Sequence, residues 1–368
     1  MRWGHANRLL DLPSDGFETP YPSYRRQHQR VAMYSTALMV VPLAWLLTGC
    51  RTKPPAHADG KTPPVAVWPE KTYYRTVEVN RRQIFFREAG SRERPTLLLL
   101  HGYPSSSHAY RELIPLLSGR YHVVAPDNLG SGFSDHPSPK ETSYTFDLLA
   151  EHINGFVEVL GLGSYVLYVQ DFGAPVGFRV ALAHPERLRG LIVQNGNVYL
   201  EGISEDRRTF FRRAHDDRSE SGIAAVAKAV SDETIRDRQY LRDVPGDRRV
   251  RMSPDTWTHD IARLQTPEDR LIQVQLFQDY QTNLDSYPRW QQFLRETQPP
   301  TLIVWGEHDP VFIPPGARAY LRDVPNAELH LLDAGHFAVE ENAVEIAQLI
   351  VPFMDGLQRR EMAWRSRT

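Results

Sequence analysis

The chain has 368 residues, of which 41% are hydrophobic and 24% are charged, and its net charge at neutral pH is −2. This composition is that of an ordinary globular protein, which excludes a wholly disordered or fibrous chain, and the mildly acidic balance offers no electrostatic footprint for nucleic acid. A single cysteine excludes a disulfide framework and a cysteine-based metal cluster.

The first 50 residues carry the pattern of an export signal. Three arginines precede an apolar run over residues 31–47, which ends in Leu47-Thr48-Gly49-Cys50. A positive stretch, an apolar segment and small residues at the cleavage point are typical of secretory signals. The last four residues resemble the bacterial lipobox, and this resemblance implies that Cys50 becomes the lipidated N-terminus. The alternative is a plain N-terminal membrane anchor.

The segment after Cys50 predicts an extended tether. Residues 51–69 contain five prolines among small and polar residues. A proline-rich stretch of this kind spaces a folded domain from a surface. We therefore expect an exported, lipoprotein-like protein tethered to a membrane of the bacterial cell envelope, with residues 1–50 as the signal and lipobox region.

From residue 70 onward, short apolar runs alternate with longer helical patterns. Two short segments predict an antiparallel pair of strands at residues 77–79 and 84–87. Runs that are apolar at successive positions predict strands of a parallel sheet, buried on both faces, at residues 96–100, 121–125, 165–170, 188–194, 301–305 and 328–332. Periodic stretches predict helices at residues 107–117, 144–160, 175–184, 315–321 and 339–357. The alternation predicts an α/β fold with a mostly parallel, doubly wound sheet.

The alternation is interrupted over residues 195–298, which are polar and helical in pattern. A stretch of about 100 residues is too long for a loop and predicts a helical cap, inserted before the last two strands. Such a cap would cover the carboxyl ends of the strands, where open α/β sheets bind ligands. The predicted core is then formed by residues 70–194 and 299–368.

Polar motifs fall at the carboxyl ends of four predicted strands. They are His101-Gly102-Tyr103-Pro104, Val169-Gln170-Asp171-Phe172-Gly173, Gly306-Glu307-His308-Asp309 and Gly335-His336-Phe337. A strand-to-helix turn with small residues near its centre holds the middle side chain over the sheet edge, and here that residue is Asp171. Each motif alone fits a helix N-cap, a turn or a structural histidine. Three such side chains at three strand ends, in the order Asp171, Asp309, His336, predict a nucleophile, an acid and a histidine.

These motifs resemble those of the α/β-hydrolase fold, and within it the branch with an aspartate nucleophile, the epoxide hydrolases and haloalkane dehalogenases. The resemblance covers about residues 77–357 outside the cap and includes the run PDNLGSGFSD at residues 126–135. It implies an α/β-hydrolase core with an inserted helical cap. It also implies that Asp171 is the nucleophile and that Asp309 orients His336.

The same resemblance implies that backbone N–H groups of Tyr103 and Phe172 stabilise an oxyanion. Phe172 departs from the usual pattern of the branch, which has tryptophan there. A carboxylate is ionised at neutral pH and can displace a leaving group from saturated carbon, forming an alkyl–enzyme ester. His336 would then activate the water that hydrolyses this ester. A serine at position 171 would have indicated an esterase or lipase.

The leaving group separates the two enzyme classes. An opened epoxide needs a proton donor such as tyrosine, whereas a halide needs only N–H donors, which neither Phe172 nor Tyr103 supplies from its side chain. The segment ending in Tyr280-Gln281 resembles the one in which epoxide hydrolases carry a cap tyrosine, which makes Tyr280 the candidate donor. Two further tyrosines, Tyr199 and Tyr240, are candidates for a second donor.

We therefore expect an epoxide hydrolase-like enzyme acting on a small apolar electrophile and water. Two alternatives stay open, a haloalkane dehalogenase-like hydrolase and a non-catalytic, membrane-tethered binding protein of the same fold. No cofactor is expected, because Gly161 and Gly163 lack the third glycine of a dinucleotide site. No metal is expected either, because the histidines show no ligand spacing; His101 is expected to support its turn.

Overall fold

The computed structural model of the chain describes residues 69–242 and 244–365, with side chains described up to residue 360. The predictions of an export signal, of lipidation at Cys50 and of most of the tether lie outside the described residues. None of the helices in the described ranges is long and apolar enough to cross a membrane.

In the described part of the chain, eight strands form one mostly parallel sheet, which confirms the predicted fold class. They are β1 (Tyr73–Val79), β2 (Arg82–Ala89), β3 (Thr96–Leu100), β4 (His122–Pro126), β5 (Tyr165–Gln170), β6 (Leu188–Gln194), β7 (Thr301–Gly306) and β8 (Glu328–Leu332). Their order across the sheet is β1-β2-β4-β3-β5-β6-β7-β8. Strand β2 runs opposite to the other seven strands. It forms an antiparallel pair with β1, as predicted, and another with β4.

The central strands of the sheet are buried on both faces, as their uninterrupted apolar runs predict. The edge strand β8 is only partly buried, so the prediction of burial on both faces is wrong there, because a strand at the edge of a sheet has a neighbour on one side only. In β3, Leu98 and Leu100 belong to one apolar cluster, and Leu97 and Leu99 belong to another on the opposite face. Successive side chains of a strand point to opposite faces, so both clusters are needed to keep a Leu-rich strand out of water. The central strands are thereby held rigidly, and their carboxyl ends form a fixed platform.

Ten α-helices accompany the sheet in the described ranges. They are α1 (Leu113–Ser118), α2 (Phe146–Val159), α3 (Gly173–Ala183), α4 (Glu205–Asp216), α5 (Glu220–Ala227), α6 (Asp255–Ala262), α7 (Pro267–Asp279), α8 (Gln281–Thr297), α9 (Pro315–Asp323) and α10 (Ala338–Arg365). Helices α1 and α10 cover one face of the sheet, and α2 and α3 cover the other.

One predicted helix is wrong in its continuity. The stretch predicted as a helix over residues 107–117 is a 3-10 helix at Ser107–Tyr110 followed by the separate helix α1. Pro115 explains the break, because proline in a helix interior lacks the N–H donor and collides with the carbonyl four residues earlier. Within the first turn of α1 the same proline is tolerated.

The cap segment, residues 195–298, contains helices α4 to α8 and a π-helix at Thr234–Tyr240, and its described residues form no strand. It contacts the loops that leave the carboxyl ends of β3 and β4. The Tyr103 hydroxyl donates to the Ala229 carbonyl at 3.1 Å, and Arg263 Nε donates to the Gly132 carbonyl at 2.6 Å. The segment therefore borders the edge of the sheet at which the polar motifs lie.

Candidate active site

Asp171 lies at a sharp turn between β5 and α3. Its φ is +49°, a left-handed conformation that costs a non-glycine residue about 1–3 kcal/mol. Two glycines allow the chains to approach this closely. A Cβ at Gly102 would lie 2.2 Å from the Asp171 Cβ, and a Cβ at Gly173 would lie 2.1 Å from the Leu100 carbonyl oxygen. The turn therefore holds a buried carboxylate at the carboxyl end of the sheet.

His336 lies between the two candidate carboxylates. Its Nε2 is 3.3 Å from Asp171 Oδ2, and its Nδ1 is 2.9 Å from Asp309 Oδ2. All three side chains are buried, and they come from the ends of β5, β7 and β8. The structure thus brings together Asp171, Asp309 and His336 in a geometry suited to a nucleophile, a base and the acid that orients it.

Hydrogen bonds fix the Asp309 carboxylate. Its Oδ1 accepts from the backbone N–H groups of Val311 at 2.7 Å and Phe312 at 3.0 Å, and its Oδ2 accepts from Asn195 Nδ2 at 2.7 Å. Asn195 directly follows β6, with a φ of +47°. Sequence reasoning missed Asn195. Its position at the end of the strand between β5 and β7 is the signal that could have found it.

The two carboxylates control the protonation of His336. Burial alone lowers the pKa of this histidine, but the charges and hydrogen bonds of Asp309 and Asp171 outweigh burial and raise the pKa to about 9. The free site therefore holds an imidazolium between two carboxylates at neutral pH. Each carboxylate contributes to the raised pKa, so any reaction that neutralises Asp171 makes His336 a stronger proton donor and readies it to act as a neutral base.

The backbone N–H groups predicted to form an oxyanion hole flank Asp171. The N–H of Tyr103 donates to Asp171 Oδ1 at 2.7 Å. Phe172 precedes the first turn of α3, and N–H groups at the start of a helix have no acceptor within the helix. The N–H of Tyr103 therefore contacts the Asp171 carboxyl group from the loop after β3, and Phe172 directly follows Asp171 in the chain.

His101 braces the β3 loop, which is the supporting role predicted for it. Its Nδ1 lies 3.0 Å from the Gly102 carbonyl, and its Nε2 accepts from the Asn128 backbone N–H at 2.9 Å. Burial lowers the pKa of His101, so the ring is neutral and can both donate and accept. The described residues contain no group of three or more His, Cys, Asp or Glu side chains that could hold a metal ion.

Tyr280 lies at the junction of α7 and α8 and is fully buried among aromatic side chains. Its ring is 5.4 Å from the Phe172 ring and stacks on Phe211 at 4.0 Å. Burial, the neighbouring Tyr287 and the charge of Asp171 raise the pKa of Tyr280 well above its ordinary value. Within the described structure its hydroxyl has no hydrogen bond of good geometry. The hydroxyl is thus protonated over the whole physiological range and available to an incoming acceptor.

The two further tyrosines proposed from the sequence are engaged elsewhere. The Tyr199 hydroxyl donates to Asp323 Oδ2 at 2.8 Å, and the Tyr240 hydroxyl donates to Asp260 Oδ2. Because each hydroxyl already binds a carboxylate, the structure favours neither candidate as the second donor. The carboxylates that accept these hydrogen bonds lie 20 or more residues away in the sequence, so no local pattern predicts the pairing.

Tyr287, in α8, is the tyrosine that sequence reasoning missed. It is buried, its hydroxyl accepts from Asn197 Nδ2 at 3.3 Å, and its interaction with the Tyr280 hydroxyl lowers its pKa. Burial raises the pKa of Tyr287 overall, and the charge of Asp171 contributes to the increase. A spacing of seven residues is about two helical turns, which places Tyr280 and Tyr287 on one face. That spacing is the signal that could have paired them.

Comparison with known families supports the fold. A family model described as alpha/beta hydrolase fold matches residues 95–343. An uncharacterised hydrolase of Saccharomyces cerevisiae is 39% identical over 274 residues, which cover 73% of this chain and 92% of that protein. A haloalkane dehalogenase of Mycobacterium marinum is 28% identical over 282 residues, which cover 73% of this chain and 88% of the dehalogenase.

Solved structures with the same fold come from two enzyme classes. The haloalkane dehalogenase DbeA from Bradyrhizobium elkani aligns with a TM-score of 0.66 at 21% identity, covering 79% of this chain and 100% of that one. An epoxide hydrolase from Vigna radiata aligns with a TM-score of 0.62 at 22% identity, covering 77% of this chain and 98% of that one. At this level of identity the likeness extends to the fold and does not distinguish the two activities.

Proposed function

The chain belongs to the α/β-hydrolase fold family and is a hydrolase, and within that family we propose that it is an epoxide hydrolase whose nucleophile is Asp171. The observation that carries the proposal is a pair of buried tyrosines, Tyr280 and Tyr287. The Tyr280 ring lies 5.4 Å from the ring of Phe172, which follows Asp171, and its hydroxyl has no hydrogen bond of good geometry among the described residues. The two tyrosines are proton donors for an oxygen leaving group. A departing halide ion is stable as an anion and needs no proton donor.

In the first step, Asp171 attacks a carbon of the epoxide and forms an ester bond to it. The carbon–oxygen bond of the ring breaks, and the released oxygen takes the proton of Tyr280, leaving a tyrosinate. The conjugate acid of an alkoxide is a far weaker acid than the phenol of tyrosine, so the leaving oxygen takes the proton of Tyr280 even though burial raises the pKa of that tyrosine. Positioned acids of this kind are typically worth about 10²–10⁴ in rate.

In the second step, a water molecule hydrolyses the ester. Once Asp171 is an uncharged ester, only Asp309 still raises the pKa of His336, and His336 gives up its proton, which returns Tyr280 to its hydroxyl form. The neutral imidazole then takes a proton from the water. The hydroxide adds to the Asp171 carbonyl carbon, and the N–H groups of Tyr103 and Phe172 stabilise the oxyanion. Collapse releases the diol and restores the carboxylate. One proton of the water stays on His336 and the other leaves with the diol, so Asp171, His336 and Tyr280 all return to their starting protonation states.

Trapping the ester tests this chemistry. In His336→Gln the first step proceeds and the second stops, so we expect the peptide containing Asp171 to gain the full mass of an added epoxide, measured by mass spectrometry after rapid mixing. Asp171→Asn is the matched control and should gain no mass. Absence of an adduct with every epoxide and haloalkane tested would sink the proposal and favour a binding protein.

The tyrosine pair tests the leaving group. Tyr280→Phe and Tyr287→Phe should each slow formation of the epoxide adduct, with the larger loss of about 10²–10⁴ for the direct donor. Adduct formation from an alkyl halide should stay within a few-fold, because a departing halide needs no proton. Tyr199→Phe, whose hydroxyl binds Asp323, is the control that should leave both rates unchanged. Single-turnover kinetics measures all three.

A haloalkane dehalogenase is the second candidate, and the relatives with that name favour it. Against it stands Phe172, which provides no side-chain N–H beside the nucleophile. Release of halide with turnover by the wild-type protein, without formation of a diol from any epoxide, would select this candidate.

We also propose that the protein is exported and held at a membrane through a lipid on Cys50. The support for this is the sequence pattern of residues 25–69 alone.

A further inference from the structure

A cavity of about 350 Å³ opens between α4, the π-helix of the cap segment and the loop after Asp309. Three arginines and one aspartate are among its lining residues, so its walls are predominantly positive: Asp206, Arg207, Arg238 and Arg242. Phe277 forms part of the apolar wall, and its ring lies 5.4 Å from Phe172 and 4.8 Å from Tyr103. Phe277 therefore connects the lining of this cavity to the rings of Tyr103 and Phe172, the two residues that flank the reactive carboxylate.

Arg207 is the exceptional member of this lining. Its side chain is half-buried, yet among the described residues no carboxylate lies within 4 Å of its guanidinium and no side-chain hydrogen bond holds it. Other arginines of similar or greater burial are paired, as Arg111 is with Glu340 at 2.8 Å and Arg270 with Asp232 at 2.6 Å. A half-buried charge without a partner is unfavourable, so its position calls for an anion.

Electrostatics connect Arg207 to the reactive centre. Burial lowers the pKa of Arg207, and the neighbouring Arg242 lowers it further, whereas the charges of Asp309 and Asp171 raise it. Arg207 in turn acts to lower the pKa of the Tyr280 hydroxyl. An anion bound to Arg207 would thus lie within electrostatic reach of Asp171, at the cap side of the site.

We propose that Arg207 binds the carboxylate of the substrate, which makes the substrate class a small carboxylic acid that carries an epoxide on its hydrocarbon chain. This assignment of the substrate rests on the proposed function. A guanidinium binds a carboxylate through two parallel N–H donors, and the rings of Phe210 and Phe277 provide the apolar surface for the carbon chain between the two ends. Arg238 and Arg242, which also line the cavity, attract such anions to it.

Binding of unreactive probes tests the site without depending on turnover. Butyrate and butyramide have the same shape but differ in charge, and calorimetric titration of the full chain should show butyrate binding at least about tenfold more tightly. Arg207→Gln should abolish this preference, and Arg207→Lys should keep part of it. Arg212→Gln removes an exposed arginine of the same helix that does not line the cavity, and it should leave the preference unchanged.

Reactive probes test the substrate class. We expect wild-type kcat/KM for 5,6-epoxyhexanoate to exceed that for 5,6-epoxyhexanamide by about 10- to 100-fold, and Arg207→Gln to bring the two values together. Equal binding of butyrate and butyramide by the wild type, or an Arg207→Gln loss that is the same for acid and amide, would overturn the inference.

The two proposals fail in different ways. Labelling of Asp171 by neutral epoxides with no preference for acids would leave the hydrolase mechanism intact and remove the carboxylate site. A butyrate preference that depends on Arg207, without any adduct on Asp171, would keep the anion site and remove the mechanism.

Discussion

A histidine between two carboxylates can serve two successive roles without moving. With both Asp171 and Asp309 charged, His336 keeps its proton to about pH 9 and forms an ion pair with Asp171, the proposed nucleophile. In the proposed mechanism, formation of the ester removes the charge of Asp171 and leaves that of Asp309, so the pKa of His336 falls at the point in the cycle when a neutral base is needed. The change of His336 from an imidazolium to a neutral base would thus follow from formation of the ester itself.

The pH dependence of stability checks the raised pKa. His336 holds its proton to about pH 9 in the folded state, against an ordinary value of 6.5 for the unfolded chain. The stabilisation is complete below pH 6.5 and is lost as the pH rises through 9. Relative to His336→Gln, we expect the wild type to lose on the order of 2–3 kcal/mol of unfolding free energy across this window, measured by urea denaturation.

Asp171→Asn should reduce this loss, because it removes one of the two charges that raise the pKa. Glu340, whose pKa burial raises to about 7, titrates in all three proteins and cancels in the differences. Identical pH profiles for wild type and His336→Gln would show that the histidine carries no excess proton.

At the residue level, sequence reasoning reached the groups whose positions follow from the sheet. Asp171, Asp309 and His336 each follow a strand, and the ends of parallel strands meet at one edge, so their convergence could be predicted. The cap was different. Which of its tyrosines points to Asp171 depends on how helices pack over the site, and the unpaired state of Arg207 depends on which acids lie near it. Neither is a property of local sequence.

The turn between β5 and α3 is the element that places the Asp171 carboxylate at the carboxyl end of the sheet. Its left-handed Asp171 is unfavourable by itself and is sustained by close packing of the β3 loop against the start of α3. Glycines at 102 and 173 provide the space for this packing. The strand and helix boundaries around the turn were predictable to within two residues, because apolar strands and periodic helices flank it.

Gly173→Ala tests how strictly the turn is packed. The new Cβ would lie 2.1 Å from the Leu100 carbonyl oxygen, so β3 or α3 must shift. We expect a loss of about 1–3 kcal/mol in unfolding free energy, together with slower formation of the Asp171 adduct. Gly163→Ala is the matched control, because nothing lies within 4 Å of its added Cβ and its stability should change by less than about 0.5 kcal/mol. A Gly173→Ala protein as stable and as reactive as the wild type would mean that the turn tolerates displacement.

At the scale of the whole chain, every residue assigned to the site lies between His101 and His336, and the sheet begins at Tyr73. The family model likewise matches only residues 95–343. The proposed chemistry is therefore assigned to residues 101–336. Residues 1–68 carry the predicted signal, Cys50 and most of the tether, so address and activity are assigned to separate parts of the sequence.

This separation predicts that a chain of residues 69–368 keeps the kcat/KM and thermal unfolding temperature of the full chain and lacks the proposed association with membranes. The reason is that every strand and helix of the described structure, and each residue of the candidate active site, lies within residues 69–365. Expression in a bacterium with a labelled fatty acid separates lipidation from plain anchoring. A lipidated Cys50 requires label on the full chain and none on Cys50→Ala, whereas a transmembrane anchor leaves Cys50→Ala in the membrane fraction without label. A truncated chain that unfolds at a lower temperature or loses its activity would show instead that the first 68 residues contribute to the fold, and the division of labour would have to be abandoned.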